Sequence, residues 1–396
     1  MILHLKPGRD TATRRRHPWL FSGGVARREG SDTEGSGLVT AVAADGSFLA
    51  RGFSSPSSPI VARWWTFEDR PLDAELVAAR VLDAVALRRR LVSSDTDGYR
   101  VINAEGDFLP GLVVDRYGST LVVQATTEGT ERARPLWLPP LAAAFPGSVI
   151  FQKNDLSTRL AEGLGTKDEL LAGEAIPPHA QFLEHGLRYS ADIASGQKTG
   201  FFLDQRENRA LVRAISPGKR VLNLFCYSGA FGVAALAGGA TYVAQVDSSG
   251  PALIAARENH LLNEQPVDGA DARVAFVAAD VFTDLRDRVA RRERWDVIVT
   301  DPPAFAKRAP DVERACRGYK DINRLAMMLL APGGTLLACS CSGPVDAVLF
   351  QKVLFGASVD ARVPLRLLER RGAGLDHPVS IDCPEGEYLK AFRLER

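Results

Sequence analysis

The spacing of apolar residues changes character along the chain. Up to about residue 70 they fall in short runs broken by Gly, Ser and Pro, as in SGLVTAVAADGSFLARGF and SPIVARWWTF. The Asp45–Gly46 step between two such runs reads as a hairpin turn. PLDAELVAARVLDAVALRRRLV then repeats apolar positions at three and four and opens with Pro71 and Asp73, which predicts a helix. YRVINAEGDFLPGLVVDRYGSTLVVQAT reads as two or three strands with Gly turns, ERARPLWLPPLAAAF as a helix and SVIFQKND as another strand. After GQKTGFFLDQRENRALVRAI the pattern becomes regular. VLNLF, TYVAQVD, RVAFVAAD, WDVIVTD and GTLLACS alternate with helical stretches from Gly229, across Ala252–Leu262, near Leu285–Arg291 and around Asp321–Leu330.

Apolar strands alternating with amphipathic helices predict a doubly wound parallel sheet covered on both faces. Three segments follow: a small β-rich module over 1–72, an α+β middle segment over 73–190 and an α/β domain over 191–396. In such a sheet ligands bind at the carboxyl ends of the strands, so the informative residues are those just after each strand.

Composition narrows the class without naming a function. The 396 residues are 45% hydrophobic and 24% charged with a formal net charge of +1, as expected of a globular chain that is not a polycation. The first thirty residues, however, carry seven basic side chains against two acidic ones, enough for a local basic face. No run approaches the roughly 18 apolar residues of a membrane span, and MILHLKPGRD lacks the core of a signal peptide. Five scattered cysteines fit a reducing cytoplasm better than a disulfide framework.

The strand ends carry a consistent chemistry. NLFCYSGAFG follows the first strand, with Phe225, Ser228, Gly229 and Gly232 forming a tight turn into a helix. Asp247, followed by Ser248, closes the second strand and is placed to accept ribose hydroxyls. Asp280, followed by Val281, closes the third and is placed to accept from an adenine amine. TDPPAF closes the fourth. The turn lacks a full GxGxxG and no Arg stands ready for a phosphate, so S-adenosylmethionine fits better than NAD.

At these motifs the chain resembles the PUA-domain 23S rRNA (cytosine-5-)-methyltransferases, a bacterial family, over nearly its whole length. RRRHPWLFSGGVAR and FLARGFSSPSSPI are similar to that family's PUA module, NAEGDFLPGLVVDRYG to its middle domain and GQKTGFFLDQREN to the entry of its catalytic domain. DPPAFAK, ACRGYKDIN, SCSG and DHPVSIDCPEGEYLKAF resemble its later motifs, whereas VIFQKNDLSTRLAEGL fits poorly. The resemblance implies a small β-barrel PUA domain, an α+β middle domain and a Rossmann-like class I methyltransferase domain. It also implies S-adenosylmethionine as cofactor and 23S ribosomal RNA, or an assembling large subunit, as partner.

C5 of cytosine is a poor nucleophile. A thiolate added at C6 makes it enamine-like, so the chemistry needs an activated cysteine at a strand end. Cys341 meets that need, and the resemblance gives the nucleophile's role to the SCSG cysteine. Cys339 shares its face of the strand but lies within the apolar run and is expected to pack. A zinc site is not expected, because the C-x-C pair has no neighbouring Cys or His to complete four ligands. Asp301 is the second catalytic candidate, holding the N3/N4 edge of the base. Gln205 in FLDQR is assigned to the cofactor's methionine end. Arg14, Arg15 and Arg16 beside His17 and Trp19 combine charge with rings for RNA, and Lys198, Arg206, Lys307, Arg317 and Lys320 flank the site. His377 in DHP stays open between a structural residue and a site residue.

Two rivals remain at this level. D-P-P-x-F is also a motif with which amino-methyltransferases hold an exocyclic amine and stack its base on the aromatic residue. A non-catalytic RNA-binding assembly factor would keep the fold without the chemistry. A homodimer is compatible with the sequence, and the group that removes the C5 proton is not assigned.

Overall fold

The computed structural model describes every residue except 32–36, 155–156 and 197, so Gln197 of the GQKTGFF motif and Asp155–Leu156 of the poorly matching stretch lie outside the described residues. The chain forms two compact units. Unit 1 comprises Met1–Leu183, Ala191–Phe201 and Leu375–Gly386; unit 2 comprises Glu184–Ser190, Phe202–Gly374 and Glu387–Arg396.

Unit 1 opens with a six-stranded mixed sheet in the order Trp19–Phe21, Ile60–Thr66, Phe48–Ser54, Leu38–Val42, Ile2–Leu5 and Val25–Glu29. The Asp45–Gly46 hairpin forms as expected, with Val42 paired to Phe48 and Gly46 at φ 85°. The predicted helix runs Ala74–Leu91 and is capped by Asp73, whose carboxylate accepts the Leu76 N–H at 3.0 Å. It buries Val77, Val81, Ala84 and Val85 in a core shared with the five-stranded sheet of the middle segment.

Residues 191–201 and 375–386, distant in sequence, are tied into this unit by buried polar bonds. Arg88, fully buried, forks onto Asp107 (2.5 and 2.7 Å) and donates to the Asp376 carbonyl at 2.8 Å. Lys153, also fully buried, donates to the carbonyls of Ile193 and Gly196. Tyr117 and Thr199 share a hydroxyl bond of 2.9 Å, and Thr199 donates to Asp115 at 2.6 Å. His377 is buried in this bonded core, 5% exposed and 3.1 Å from Asp376 Oδ1.

Unit 2 holds the alternating pattern. Its strands are β1 (Arg220–Leu224), β2 (Tyr242–Asp247), β3 (Val274–Ala278), β4 (Trp295–Thr300), β5 (Leu330–Ser340), β6 (Arg366–Arg371) and β7 (Lys390–Glu395). They lie in the order β3-β2-β1-β4-β5-β7-β6, and only the β7 pairings, with β5 and β6, are antiparallel. Helices α1 (Arg206–Ile215), α2 (Ala230–Ala237), α3 (Gly250–Leu262), α4 (Val281–Ala290), α5 (Val312–Leu329) and α6 (Ala347–Ala361) cover it. Strand periodicity sends Leu222, Leu224, Ile298 and Ala338 into one core and Val221, Val297, Val299 and Cys339 into the other. Helix α4 begins four residues before the predicted start because Asp280 caps it, accepting from Thr283 N at 3.0 Å. The segment around Asp321 belongs to a longer helix than expected, since α5 contains the whole of ACRGYKDIN.

A buried polar chain locks the turn after β1. Gln245 is fully buried; its Nε2 donates to the Gly229 carbonyl (2.8 Å) and to His260 Nε2 (2.9 Å), while its Oε1 accepts from Asn223 at 2.7 Å. His260 therefore carries its proton on Nδ1, donating to Gln265 Oε1 at 2.6 Å, and Gln265 donates to the Val233 carbonyl. Burial lowers the His260 pKa to about 4, so the ring stays neutral as the chain of bonds requires. Gly232 is glycine because a Cβ there would stand 2.0 Å from Gln245 Nε2.

Gly232→Ala is expected to destabilise unit 2 by about 1–3 kcal/mol, the usual cost of overpacking a site whose neighbour cannot move. Gly250→Ala, where a Cβ meets nothing within 4 Å, should stay within about 0.5 kcal/mol of the parent in the same denaturant titration. The pH response has a definite sign. Between an unfolded histidine near 6.5 and the folded value near 4, the unfolded chain binds the extra proton. Stability is therefore intact above pH 6.5 and declines by roughly 3 kcal/mol as pH falls toward 4. That part of the slope should vanish in His260→Gln, read from thermal unfolding across the window.

Candidate active site

The register of the parallel strands aligns Leu224, Val246, Thr300 and Ala338 in one row across β1, β2, β4 and β5. The residues that follow this row on β1, β2 and β4 (Phe225, Asp247 and Asp301) therefore emerge together at the carboxyl edge, while β5 continues through Cys339 to Ser340. The turn after β1 is strained: Phe225 (φ 57°), Tyr227 (φ 46°) and Gly229 (φ 71°) all adopt the left-handed region. Such conformations persist only where neighbours over-determine them, and they cluster at ligand sites. Asp247 is one such neighbour, accepting Tyr227 N–H on Oδ2 and Ser249 N–H on Oδ1, both at 2.9 Å. Each oxygen keeps a lone pair for a further donor.

The structure brings Phe225, Ser228, Gly229, Gly232 and Asp247 into this turn and the strand beside it. Ser248 is exposed after β2; Asp280 is exposed at the cap of α4, and Val281 is buried behind it. The room that Gly232 leaves on its Cβ side is filled by Gln245. The turn thus stands beside an acidic acceptor, which fits a nucleoside without phosphates. S-adenosylmethionine would be held here by the 225–229 turn and Asp247.

Two loops meet on the other side of the edge. Cys341 follows β5 directly, half-buried, with Sγ 3.9 Å from the Pro302 carbonyl of the D-P-P turn. Ser342 Oγ accepts the Ala306 N–H at 3.0 Å and shares a 2.8 Å bond with Tyr319. Tyr319 packs its ring on Phe305, centroids 4.8 Å apart, and Gly318 leaves room for the same ring. Asn323 completes the brace, accepting from Thr300 and donating to the Tyr319 carbonyl. Burial holds the Tyr319 phenol above its ordinary pKa, so it is a neutral hydroxyl. Cys339 is fully buried; burial, with the charge of Asp301 adding to it, pushes its thiol well up. It accepts the packing role expected of it, with Gln205 hydrogen-bonded to its thiol and also accepting from Asn208.

Sequence reasoning missed Tyr319, Asn323, Ser342 and Lys390. Lys390 begins β7, is 4% exposed and donates to the carbonyls of Ser342 and Tyr388, each at 2.7 Å. Burial lowers its pKa, while Cys341, Glu387 and Asp346 act in the opposite direction. A lysine inside the apolar YLKAF run was the available signal.

The basic residues assigned to RNA divide into two kinds. Arg14, Arg15 and Arg16 are exposed in unit 1, Arg14 bonded to Asp10 at 2.7 Å and Arg16 3.6 Å from Asp382. His17 and Trp19, both half-buried, meet edge-on at 5.5 Å, and Trp19 donates to Glu105 while His17 faces Glu385. Lys198 (unit 1) and Lys307 (unit 2) are exposed. Arg317 and Lys320 pair with Glu313 and Asp360, and Arg206 is buried beside Glu207. His17, Cys383 and Glu385 lie close enough to hold an ion, but His17 Nδ1 already accepts the Trp19 N–H. The neutral ring's proton is thus on Nε2, the atom that a metal would need, so the donor set suits a hydrogen bond to Glu385 better than coordination.

Comparison with known proteins agrees with this fold. A family model described as S-adenosylmethionine-dependent methyltransferase matches residues 155–377, and one described as a PUA-like domain matches residues 3–67. Ribosomal RNA large subunit methyltransferase I of Shewanella denitrificans is 43% identical, and that of Vibrio cholerae 42%, each match covering 98% of both chains. Among solved structures, a SAM-dependent methyltransferase from Streptococcus mutans superposes with a TM-score of 0.83, and a methyltransferase complexed with SAH with 0.85. Both are 22% identical with full coverage of both chains, a likeness of fold. With its methyltransferase fold, PUA-like module and relatives of this identity and coverage, the chain belongs to the ribosomal RNA large subunit methyltransferase I family of S-adenosylmethionine-dependent methyltransferases.

Proposed function

We propose that this chain methylates C5 of a cytosine in large-subunit (23S) ribosomal RNA through a covalent adduct between Cys341 and C6. The observation that carries the reading is the setting of Cys341: the end of β5, against the D-P-P turn, beside the buried ammonium of Lys390. The names of the relatives support ribosomal RNA as substrate, and the PUA-like module, with Arg14, Arg15 and Arg16 at its surface, supports RNA docking. Among the described residues all five cysteines are free thiols and no helix is long and apolar enough to cross a membrane; we read the setting as cytoplasmic.

S-adenosylmethionine supplies the electrophilic methyl group that C5 takes. The chain's residues do the rest. The Cys341 thiolate forms a bond to C6 and the C5–C6 π pair becomes available at C5. Asp301 holds the N3/N4 edge as charge develops on the ring. After loss of the C5 proton the C6–S bond breaks and the thiolate leaves with its pair. Lys390 acts as a positioning residue: its charge favours the thiolate, and its two carbonyl bonds fix the loop that carries it. Phe305 is engaged by Tyr319 rather than standing free to stack a base, which weighs against methylation of an exocyclic amine.

RNA tritiated at cytosine C5, incubated with protein and unlabelled cofactor, should release tritium to water. Release should disappear in Cys341→Ala and persist in Cys339→Ala. Methyl transfer without release would overturn the reading in favour of an amine target. Lys390→Met should move the acid limb of the single-turnover rate profile about one pH unit to the alkaline side, with Lys390→Arg restoring most of it. An unmoved limb would reduce Lys390 to a packing role.

A further inference from the structure

Loss of the C5 proton needs an acceptor near Cys341, and most groups there are committed. Lys390 spends its ammonium protons on the Ser342 and Tyr388 carbonyls, and it favours the thiolate only while it keeps its charge. Tyr319 is fully buried and shares its hydroxyl with Ser342 at 2.8 Å. Cys339 is fully buried as well, and Asp301 is assigned to the N3/N4 edge of the base.

A further acid–base pair stands on the same network. Tyr388, half-buried two residues before Lys390, donates its phenol proton to Asp204 Oδ2 at 2.6 Å, a length typical of a hydroxyl on an ionised carboxylate. The Tyr388 carbonyl shares the Lys390 ammonium with that of Ser342, the neighbour of Cys341. Its main chain therefore lies against the loop that carries the thiol, as the β5–β7 register requires by setting Ser340 opposite Lys390. Asp204, 6% exposed, sits in the single turn Leu203–Gln205, which abuts the end of β5 where Gln205 bonds the Cys339 thiol. Burial above all raises that thiol, and the charges of Asp301, Cys341 and Asp204 add to it, so these three groups lie around one side chain. The Asp204 carbonyl accepts the Gly374 N–H at 2.9 Å, which fixes the turn. The pair thus combines a hydroxyl open to solvent with a buried base behind it.

We propose that Tyr388 takes the C5 proton, with Asp204 as the positioning residue that draws off the phenol's own proton. As the C5–H bond breaks, its electron pair restores the C5–C6 double bond, and the C6–S bond breaks with its pair leaving on Cys341. The C5 proton bonds to Tyr388 Oη while the phenol proton moves to Asp204 Oδ2. That proton returns through the phenol to water, which resets the pair. The inference rests on the C5 reading and supplies its proton acceptor.

The test uses the full-length protein, a 23S RNA transcript tritiated at cytosine C5 and S-adenosylmethionine labelled in its methyl group. In Tyr388→Phe, which keeps the ring, tritium release should fall about a hundredfold, within what a positioned acid–base group contributes. Because methyl addition precedes the lost step, methylated RNA should accumulate on the protein as a complex stable to SDS, and adding Cys341→Ala should abolish that complex. Asp204→Asn, similar in shape but uncharged, should slow release by a smaller factor and accumulate the same complex. Both single variants should match the parent in thermal unfolding and cofactor affinity. Release at the parent's rate in Tyr388→Phe would overturn the assignment. So would loss of complex and release together in both variants, which would leave the pair a structural role alone. Methyl transfer by the parent without tritium release would overturn the C5 reading itself, and is thereby distinguishable.

Discussion

The lateral register of one parallel sheet is the constraint on which the candidate active site depends. Because Leu224, Val246, Thr300 and Ala338 stand in a single row, β1, β2 and β4 end within one residue of the same level, and β5 runs two residues further, to Ser340. A one-residue slip would exchange the two cores, sending Val297 and Val299 where Ile298 belongs, and would also carry Asp301 and Cys341 to the wrong face. Packing on both faces therefore specifies the site as firmly as it specifies the fold.

What the sheet places, buried polar groups hold. The Asn223–Gln245–His260–Gln265 chain runs beneath the strained turn and satisfies every hydrogen that Gln245 and Gln265 use, provided the imidazole is neutral. On the other side of the edge, Ser342, Tyr319, Asn323 and Lys390 join two loops and a helix that are far apart in sequence. Both networks lie where water is excluded, so each missing partner would cost its full desolvation. This arrangement restrains Cys341 and Asp301 without leaving either fully buried.

Unit 1 follows the same rule with larger charges. Arg88 and Asp107 are buried together, and the carbonyl of Asp376 and the amide of Asn103 complete them. A buried ion pair contributes little net stability, but breaking it is expensive, and that asymmetry favours one arrangement of the segments it joins. It accounts for how residues 375–386, late in the chain, come to belong with the amino-terminal half.

Local pattern alone determined much of this protein. The hairpin at Asp45–Gly46, the helix capped by Asp73, the alternation after Phe202 and the acids closing β2 and β4 are all consequences of short-range preference and periodicity, which act within a few residues. Cys341 was legible for the same reason, as a cysteine at the end of an apolar run. Tertiary structure decided what depends on distant partners. Gly232 makes room for Gln245, His17 and Trp19 are engaged by carboxylates, and Arg317 and Lys320 are paired. Lys390 lies 49 residues beyond Cys341 in the chain and comes near it only because β7 pairs antiparallel with β5. A burial that pairs two groups is a property of neither group's own surroundings in sequence, so no reading of spacing along the chain could have shown it.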